Sequence, residues 1–328
     1  MVTFMDFYSP MAKIFLLLLV LFSFRETTHA ADKIKIGVSN YNLSNLSVGV
    51  AQKKGFFKEE GIEAEIIAMR PSIVTAALVS GDLGYSTLIG SVVGAAVKGS
   101  PVRLIAVSLD RPPLAFVAQR KIRSVGQLKG VTIGVGSYGS TPDVVARRIV
   151  KHFGFDPERD IRVLAFGSAA ARLSALQNGI VDIIVVAPPE DFEAQKMGFN
   201  VLVRADELLT FPYNGMGTTL SKIEQNADEV KRVIKVLIKA NRFIRKNREG
   251  AIQVLVDWAK TDRAHAAAGY DMASRAFSDD GSIREEDVRL MIENAKKNLN
   301  VNRSILPTDV ADLSSLHQAQ RELGLKVR

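Results

Sequence analysis

From residue 33 to about 203, short β-branched runs alternate with stretches of helical spacing; the runs are residues 34–38, 64–67, 102–107, 131–135, 161–164, 183–186 and 201–203. Strands alternating with helices predict parallel α/β sheets, because a parallel pair needs a crossover that returns the chain to the same end. Beyond Ser221 the apolar positions change to helical spacing, as in Val230, Val233, Ile234, Leu237, Ile238 and Ile244, which predicts an all-helical C-terminal segment. Within it, Ser282-Ile283-Arg284-Glu285 reads as a capping box opening a helix through about Leu299, and Pro307 reads as the start of the last helix.

One earlier stretch is continuously apolar: residues 14–24, preceded by Lys13 and followed by Thr28-His29-Ala30. It is too short for a spanning helix of roughly 20 residues and fits a signal-peptide core of about 7–15. Cleavage before Ala31 or Asp32 is expected, which makes residues 1–30 an export signal and the mature protein periplasmic. An uncleaved anchor is the alternative, and Met11-Ala12-Lys13 would equally make a conventional start, leaving translation of residues 1–10 open.

The chain has 328 residues, 47% hydrophobic and 24% charged, which suits two globular domains and excludes a disordered chain or a multi-span carrier. It has no cysteine, so thiolate zinc, iron–sulfur clusters, thiol nucleophiles, disulfides and a lipid-modified cysteine are excluded. Lys and Arg total 43 against 35 Asp and Glu, a net charge of +8 that loss of residues 1–30 leaves unchanged. Scattered solvated side chains account for the surplus, and no basic run is interleaved with aromatics, so no nucleic-acid partner is expected.

Ligand chemistry in an open α/β sheet belongs at the carboxyl ends of the strands. Four loops there carry polar residues: Ser39-Asn40-Tyr41-Asn42, Arg70-Pro71-Ser72, Tyr85-Ser86-Thr87, and Gly134-Val135-Gly136-Ser137-Tyr138-Gly139 leading into Ser140 and Thr141. Each polar residue has an ordinary alternative as a helix cap or turn former. The fourth loop matches G-x-G-x-x-G between a strand and a helix, but a dinucleotide site needs an acid closing the next strand, and Asp156 and Asp160 precede that strand instead. What remains is a backbone that admits close approach and a capped helix N-terminus suited to a carboxylate, sulfonate or other oxyanion. Arg111, beside Pro112-Pro113, is placed to reach an anion across a cleft, or to sit solvated in its loop.

No metal or catalytic constellation emerges, and no cofactor is expected. His152, His265 and His317 lack paired metal spacing, no G-x-S-x-G elbow surrounds Ser137 or Ser140, and Asp279-Asp280-Gly281 lacks the spaced acids of a calcium loop. Glu190-Asp191, after Pro188-Pro189, suits either a cationic ligand or the ordinary charge complementarity of a helix start. Binding is therefore expected rather than turnover.

Four segments carry a resemblance. Gly55-Phe56-Phe57-Lys58-Glu59-Glu60-Gly61-Ile62, Thr75 to Gly84, Ser124 to Gly134 (with Gln127 in place of the usual acid) and Ala175-Leu176-Gln177-Asn178-Gly179-Ile180-Val181-Asp182 are similar to segments of nitrate/sulfonate/taurine-type periplasmic substrate-binding proteins of ABC transporters, in the thiamine-pyrimidine-precursor-binding-like superfamily. The resemblance implies a two-lobed periplasmic binding protein fold of type II, each lobe a mainly parallel sheet flanked by helices. Lobe 1 would be residues 31–116 plus 214–328 and lobe 2 residues 117–213, with crossings near 114–117 and 211–219. Carried over by position, the ligand contacts would be Asn40, Tyr41, Ser72, Ser86, Thr87, Ser137, Gly139, Ser140, Thr141, Ala187 and Pro188, with Tyr213 near the hinge. The implied partners are a small, anionic solute and an ABC permease with its ATPase, the protein acting as a monomer. Related folds also serve as pyrimidine synthases, menaquinone-pathway dehydratases and sensory receptors. The absent cysteine-rich motif argues against the synthases, and the export signal against both enzymes.

Overall fold

The computed structural model describes residues 31–209 and 211–327; the expected export signal over residues 1–30 lies outside the described residues. Among the described residues, ten strands form two five-stranded sheets. The first contains β1 (Asp32–Val38), β2 (Ile62–Ala68), β3 (Tyr85–Ser86), β4 (Val102–Leu109) and β10 (Asn214–Thr219); the second contains β5 (Ala115–Ala118), β6 (Thr132–Val135), β7 (Arg162–Ala165), β8 (Ile183–Val186) and β9 (Asn200–Arg204).

The two sheets repeat one plan, with strand orders β2-β1-β3-β10-β4 and β7-β6-β8-β5-β9. In each, four strands run one way and a single reversed strand lies fourth. The reversed strand is the one that arrives from the other sheet: β5 after the first connection, β10 after the second. The sheets are therefore mainly parallel, with one antiparallel intruder each. Residues 115–118 and 214–219, expected at or near the crossings, are these intruding strands, and Ala115 and Phe116 belong to the second sheet. The connections proper are residues 110–114 and 209–213.

Patterning explains the layers. Along β1, Ile34 and Ile36 are buried while Lys33 and Lys35 face solvent, the alternation of a strand covered on one face at its entry. Gly37, further along, would bring a Cβ to 2.7 Å from Val74 and 2.6 Å from Leu83, so its missing side chain lets the Pro71–Ser80 helix lie close over the sheet. The helical spacing beyond Ser221 becomes the long helix Ala227–Lys246, whose Val230, Val233, Ile234, Leu237, Ile238 and Ile244 are buried in the core under the first sheet. Burying such side chains contributes about 1.5–3 kcal/mol each.

Two C-terminal expectations need correction. The helix Glu285–Leu299 is N-capped by the backbone of Arg284, not by a Ser282 capping box. The Ser282 hydroxyl instead accepts from Gln320 Nε2 at 2.9 Å, which draws it away from the helix start. Pro307 opens a single 3-10 turn, Pro307–Asp309, and the last helix is Ser314–Glu322. The chain between them pairs with β4 through Leu104 N–H to Val310 O (2.8 Å) and Asp312 N–H to Leu104 O (2.9 Å), covering what would be an open sheet edge.

Candidate functional site

The carboxyl ends of the like-directed strands of both sheets open onto one cavity of about 220 Å³. From the first sheet, the loop after β1 supplies Ser39, Asn40, Asn42 and Ser44, the loop after β2 Arg70 and Pro71, and the turn after β3 Leu88, Gly90 and Ser91. From the second, the loop after β6 supplies Gly136, Ser137, Ser140, Thr141 and Pro142, that after β7 Gly167, Ser168, Ala169 and Arg172, and that after β8 Ala187 and Glu190. The connections add Leu114 and Tyr213, and Asn214 opens β10. Strand ends converge here because parallel strands all deliver their loops to one edge.

Behind the first wall, a buried amide network fixes the polar groups. Asn45 Nδ2 donates to Asn40 O at 2.9 Å, while its Oδ1 accepts from Thr87 Oγ1 at 2.7 Å and Asn214 Nδ2 at 3.2 Å. The network continues away from the cavity through Ser108 to Asn214 Oδ1 (3.0 Å), Asn241 Nδ2 to Ser108 O (3.2 Å), and Ser47 to Asn241 Oδ1 (2.6 Å). Such internally satisfied groups hold shape at little cost. Arg70, at the N-terminus of the Pro71–Ser80 helix, brings an exposed guanidinium to the rim.

The second wall differs. Arg172 is 7% exposed, donates from Nη1 to Gly167 O at 3.1 Å, and its Nε has no partner. Burial pushes its guanidinium below the ordinary value, with Glu190 opposing. Glu190, first residue of the Glu190–Lys196 helix, has a buried Oε2 without a partner. Burial pushes its carboxyl up to about 7, against its own backbone N–H and Arg172; Glu193 and Asp191 add to the rise. No ion pair joins Arg172 to Glu190, whereas neighbouring Asp191 is held by Arg204 at 2.8 Å. Tyr213 lies between the walls, its hydroxyl accepting from Ser44 at 3.3 Å.

The glycine motif gains a different meaning from the dinucleotide fingerprint. A Cβ on Gly136 would meet Arg172 Nη1 at 3.3 Å and Gly167 O at 3.4 Å, so this glycine makes the seat for the guanidinium. Gly139, at φ 75°, makes the left-handed turn into the Thr141–His152 helix. That helix start is less open to an anion than its sequence implies. The Ser140 hydroxyl makes no cap bond and donates back to Ser137 O at 2.6 Å, while buried Asp143 accepts from Gly139 N at 2.8 Å and is paired with Arg147. A carboxylate of the chain already occupies the positive end of the helix.

Of the residues expected to contact ligand, Asn40, Ser137, Ser140, Thr141, Ala187 and Tyr213 line the cavity. Six lie elsewhere. Tyr41 packs edge-on against Trp258 (4.8 Å between centroids) and donates to Ile66 O at 3.2 Å; Ser72 is exposed on its helix. Ser86 and Thr87 are buried, Ser86 accepting from Leu88 N at 3.1 Å and Thr87 donating to Asn45. Gly139 faces Asn298, and Pro188 packs on Gly269. Arg111 is exposed and outside the cavity. Sequence reasoning missed Arg172, which sits in an alanine-rich helix, Ala169–Gln177, where an arginine reads as surface. Its position in the first turn of the helix that follows a strand was the available signal.

The profile of the family described as NMT1/THI5 like matches residues 43–251. YtlA of Bacillus subtilis is 23% identical over 220 residues, 65% of this chain and 66% of its own length. The 4-amino-5-hydroxymethyl-2-methylpyrimidine phosphate synthase THI12 of Saccharomyces cerevisiae is 33% identical over 124 residues, 35% of this chain and 34% of that protein. The chain thus spans less than two thirds of these relatives. Among solved structures, the alkanesulfonate-binding protein SsuA from Xanthomonas axonopodis pv. citri, bound to MOPS, superposes with a TM-score of 0.73 at 16% identity, covering 88% of this chain and all of that one. The two-lobed periplasmic binding protein fold is the fold of this chain.

Proposed function

The chain belongs to the NMT1/THI5-like family, and from that premise we propose that it is a periplasmic solute-binding protein that captures a small anionic solute between its lobes and delivers it to an ABC importer. The observation that carries this reading is the cavity at the facing strand ends, lined by Arg172, a buried guanidinium whose Nε has no hydrogen-bond partner. A buried cation without a counter-ion in contact is costly, and a solute anion would supply that contact. The remaining polar lining, hydroxyls and amides, orients a guest.

Closure then follows from differential contact. A solute touching both walls favours the closed arrangement over the open one by the contacts it makes only there. In this structure elements of the two halves meet through Lys297–Glu158 at 2.9 Å and through Gly269 against Pro188. An importer that reads both lobe surfaces would distinguish loaded from empty protein.

The test is a thermal-shift screen of the purified protein against sulfonates, carboxylates, nitrate and pyrimidines. A solute at a hundred times its dissociation constant stabilises the fold by about 2.7 kcal/mol. Stabilisation by an anion, lost in Arg172→Ala, supports the reading; indifference to every class counts against it. THI12, a pyrimidine phosphate synthase, shares the family, and formation of a pyrimidine phosphate by the purified protein, rather than unaltered recovery of a bound solute, would favour the enzyme alternative.

A further inference from the structure

The helical segment beyond β10 packs with the first sheet: Ala266, Tyr270 and Ala273 sit in one apolar cluster of that half, and Val288, Met291 and Ile292 in the other. Two of its helices also reach the second half, where they meet it on opposite faces of the second sheet. The helix Thr141–His152 covers one face of that sheet through Val145, Ala146, Ile149 and Val150, and the helix Glu190–Lys196 covers the other through Ala194. The C-terminal segment touches both of these covering helices.

On the first face Val144 is the informative residue. Its helix neighbours pack on their own sheet, whereas Val144, 8% exposed, is buried in the other half's cluster with Val288, Met291 and Phe211. Along the helix Glu285–Leu299, Val288, Met291, Ala295 and Asn298 recur at intervals of three and four and so form one stripe, about 15 Å long. Asn298 lies against Gly139, where a Cβ would stand 3.2 Å away, and Gly90 of the helix Ile89–Val97 leaves the space taken by Thr141, whose hydroxyl would be 2.9 Å from a Cβ there. On the second face, a Cβ on Gly269 in the helix Arg263–Ala273 would stand 3.2 Å from Pro188. The His265 ring stacks on Phe192 with centroids 6.0 Å apart, and Lys196 Nζ lies 3.9 Å from Asp262.

We propose that the C-terminal segment is a two-armed clasp: the helices Arg263–Ala273 and Glu285–Leu299 grip the second half from both sides and hold the cavity closed through contacts of the chain itself. This goes beyond solute capture and takes from that reading only that the halves can part. Both arms border the cavity. Gly90 and Thr141 line it as well as the first seam, and Ala187, next to Pro188, lines it at the second. The arms therefore lie on the cleft side of connections 110–114 and 209–213, where contacts form as the halves approach and are lost as they part. A solute then meets a preformed cavity instead of supplying all of the closure through its own contacts.

The chain has no cysteine, so Ser72→Cys and Ala170→Cys, exposed on the two rims of the cleft, take a nitroxide pair uniquely, and pulsed spin-resonance distances report the gap with no solute added. Val144→Asp sets a carboxylate where it is buried between the halves when they meet and solvated when they part, so it acts on the arrangement rather than on either core. The expected result is a labelled parent dominated by the shorter distance and a Val144→Asp variant dominated by a longer one, about a 100-fold change in the closing equilibrium. Phe192→Ala with Lys196→Ala, which removes the ring stack and the charge pair of the second arm, should raise the longer population by about 5-fold. Cooperative thermal melts confirm that each variant folds; should Val144→Asp not fold, the second-arm pair carries the test alone. A parent already dominated by the longer distance, or a short distance unmoved in folded Val144→Asp, overturns the clasp; a distance unmoved in the second-arm pair overturns that arm. Anion capture stands in each of these cases, because no outcome depends on which solute binds.

Discussion

The two walls of the cavity grow from sheets with the same strand order and the same reversed fourth strand, yet they are built on opposite principles. Behind the first wall, Asn40, Asn45, Thr87, Asn214, Ser108 and Asn241 satisfy one another in a continuous network. On the second, Arg172 and Glu190 each keep a buried atom without a partner. The difference separates two tasks that one topology performs equally well. A satisfied network fixes the shape of a surface, while buried charges without partners leave interactions unmade. A shared strand order thus brings the two sets of loops together without giving them the same polar chemistry.

The largest test of this asymmetry sets the two cavity arginines against each other. Arg172→Ala should weaken an identified anionic solute by about 100-fold or more, because a desolvated charge contact is lost. Arg70→Ala, exposed at the rim of the first wall, should cost less than about 5-fold. Calorimetry on both variants decides it, and a reversed order would move recognition to the first wall.

Stability of the empty protein offers a second test of comparable size. The Glu190 carboxyl titrates near 7 when folded, above its ordinary 4.5, so the folded state binds its proton more tightly than the unfolded chain. Stability from this group is fully present below about pH 4.5 and falls as pH rises to about 7, by at most about 3 kcal/mol. Glu190→Gln should recover most of that loss at pH 8 and change little at pH 4, as read by denaturant melts. A gain equal at both pH values would show that the charge is not its source.

For the first wall the expectation reverses: the network should matter to folding more than to binding. Asn241→Ala removes two donor bonds and an acceptor deep beneath the wall and should destabilise by about 2 kcal/mol with solute affinity nearly unchanged. Loss of affinity with intact stability would make the network part of recognition. The smallest effect is expected at the bridge between the lobes. Lys297→Ala removes an exposed pair with Glu158 and should alter affinity by under about 1 kcal/mol, vanishing at high salt.

How much of this was legible beforehand differs between fold and site. The alternating runs from residue 34 onward and the spacing at Val230, Val233, Ile234 and Leu237 reported the layers directly, because burial imposes periods that survive in sequence. The polar loops pointed to the strand ends that meet at the cavity. They did not separate Asn40 and Ser137, which face the cavity, from Thr87, whose hydroxyl is turned into Asn45, or Tyr41, which packs on Trp258. A hydroxyl that caps, one that braces a network and one that lines a cavity have the same chemistry; their partners lie up to a hundred or more positions away, as Ser108 and Asn214 do.

The sequence alone determined the α/β class, the helical C-terminal segment and the loops that meet at strand ends, since each follows from local periodicity and chain direction. Tertiary structure decided that the reversed strands β5 and β10 exchange between sheets, that Gly136 seats a guanidinium rather than a phosphate, and that Arg172 and Glu190 share a cavity without pairing. Those outcomes depend on which distant groups are already satisfied when the chain has closed on itself, and pairing across long loops leaves no periodic trace in the order of the residues.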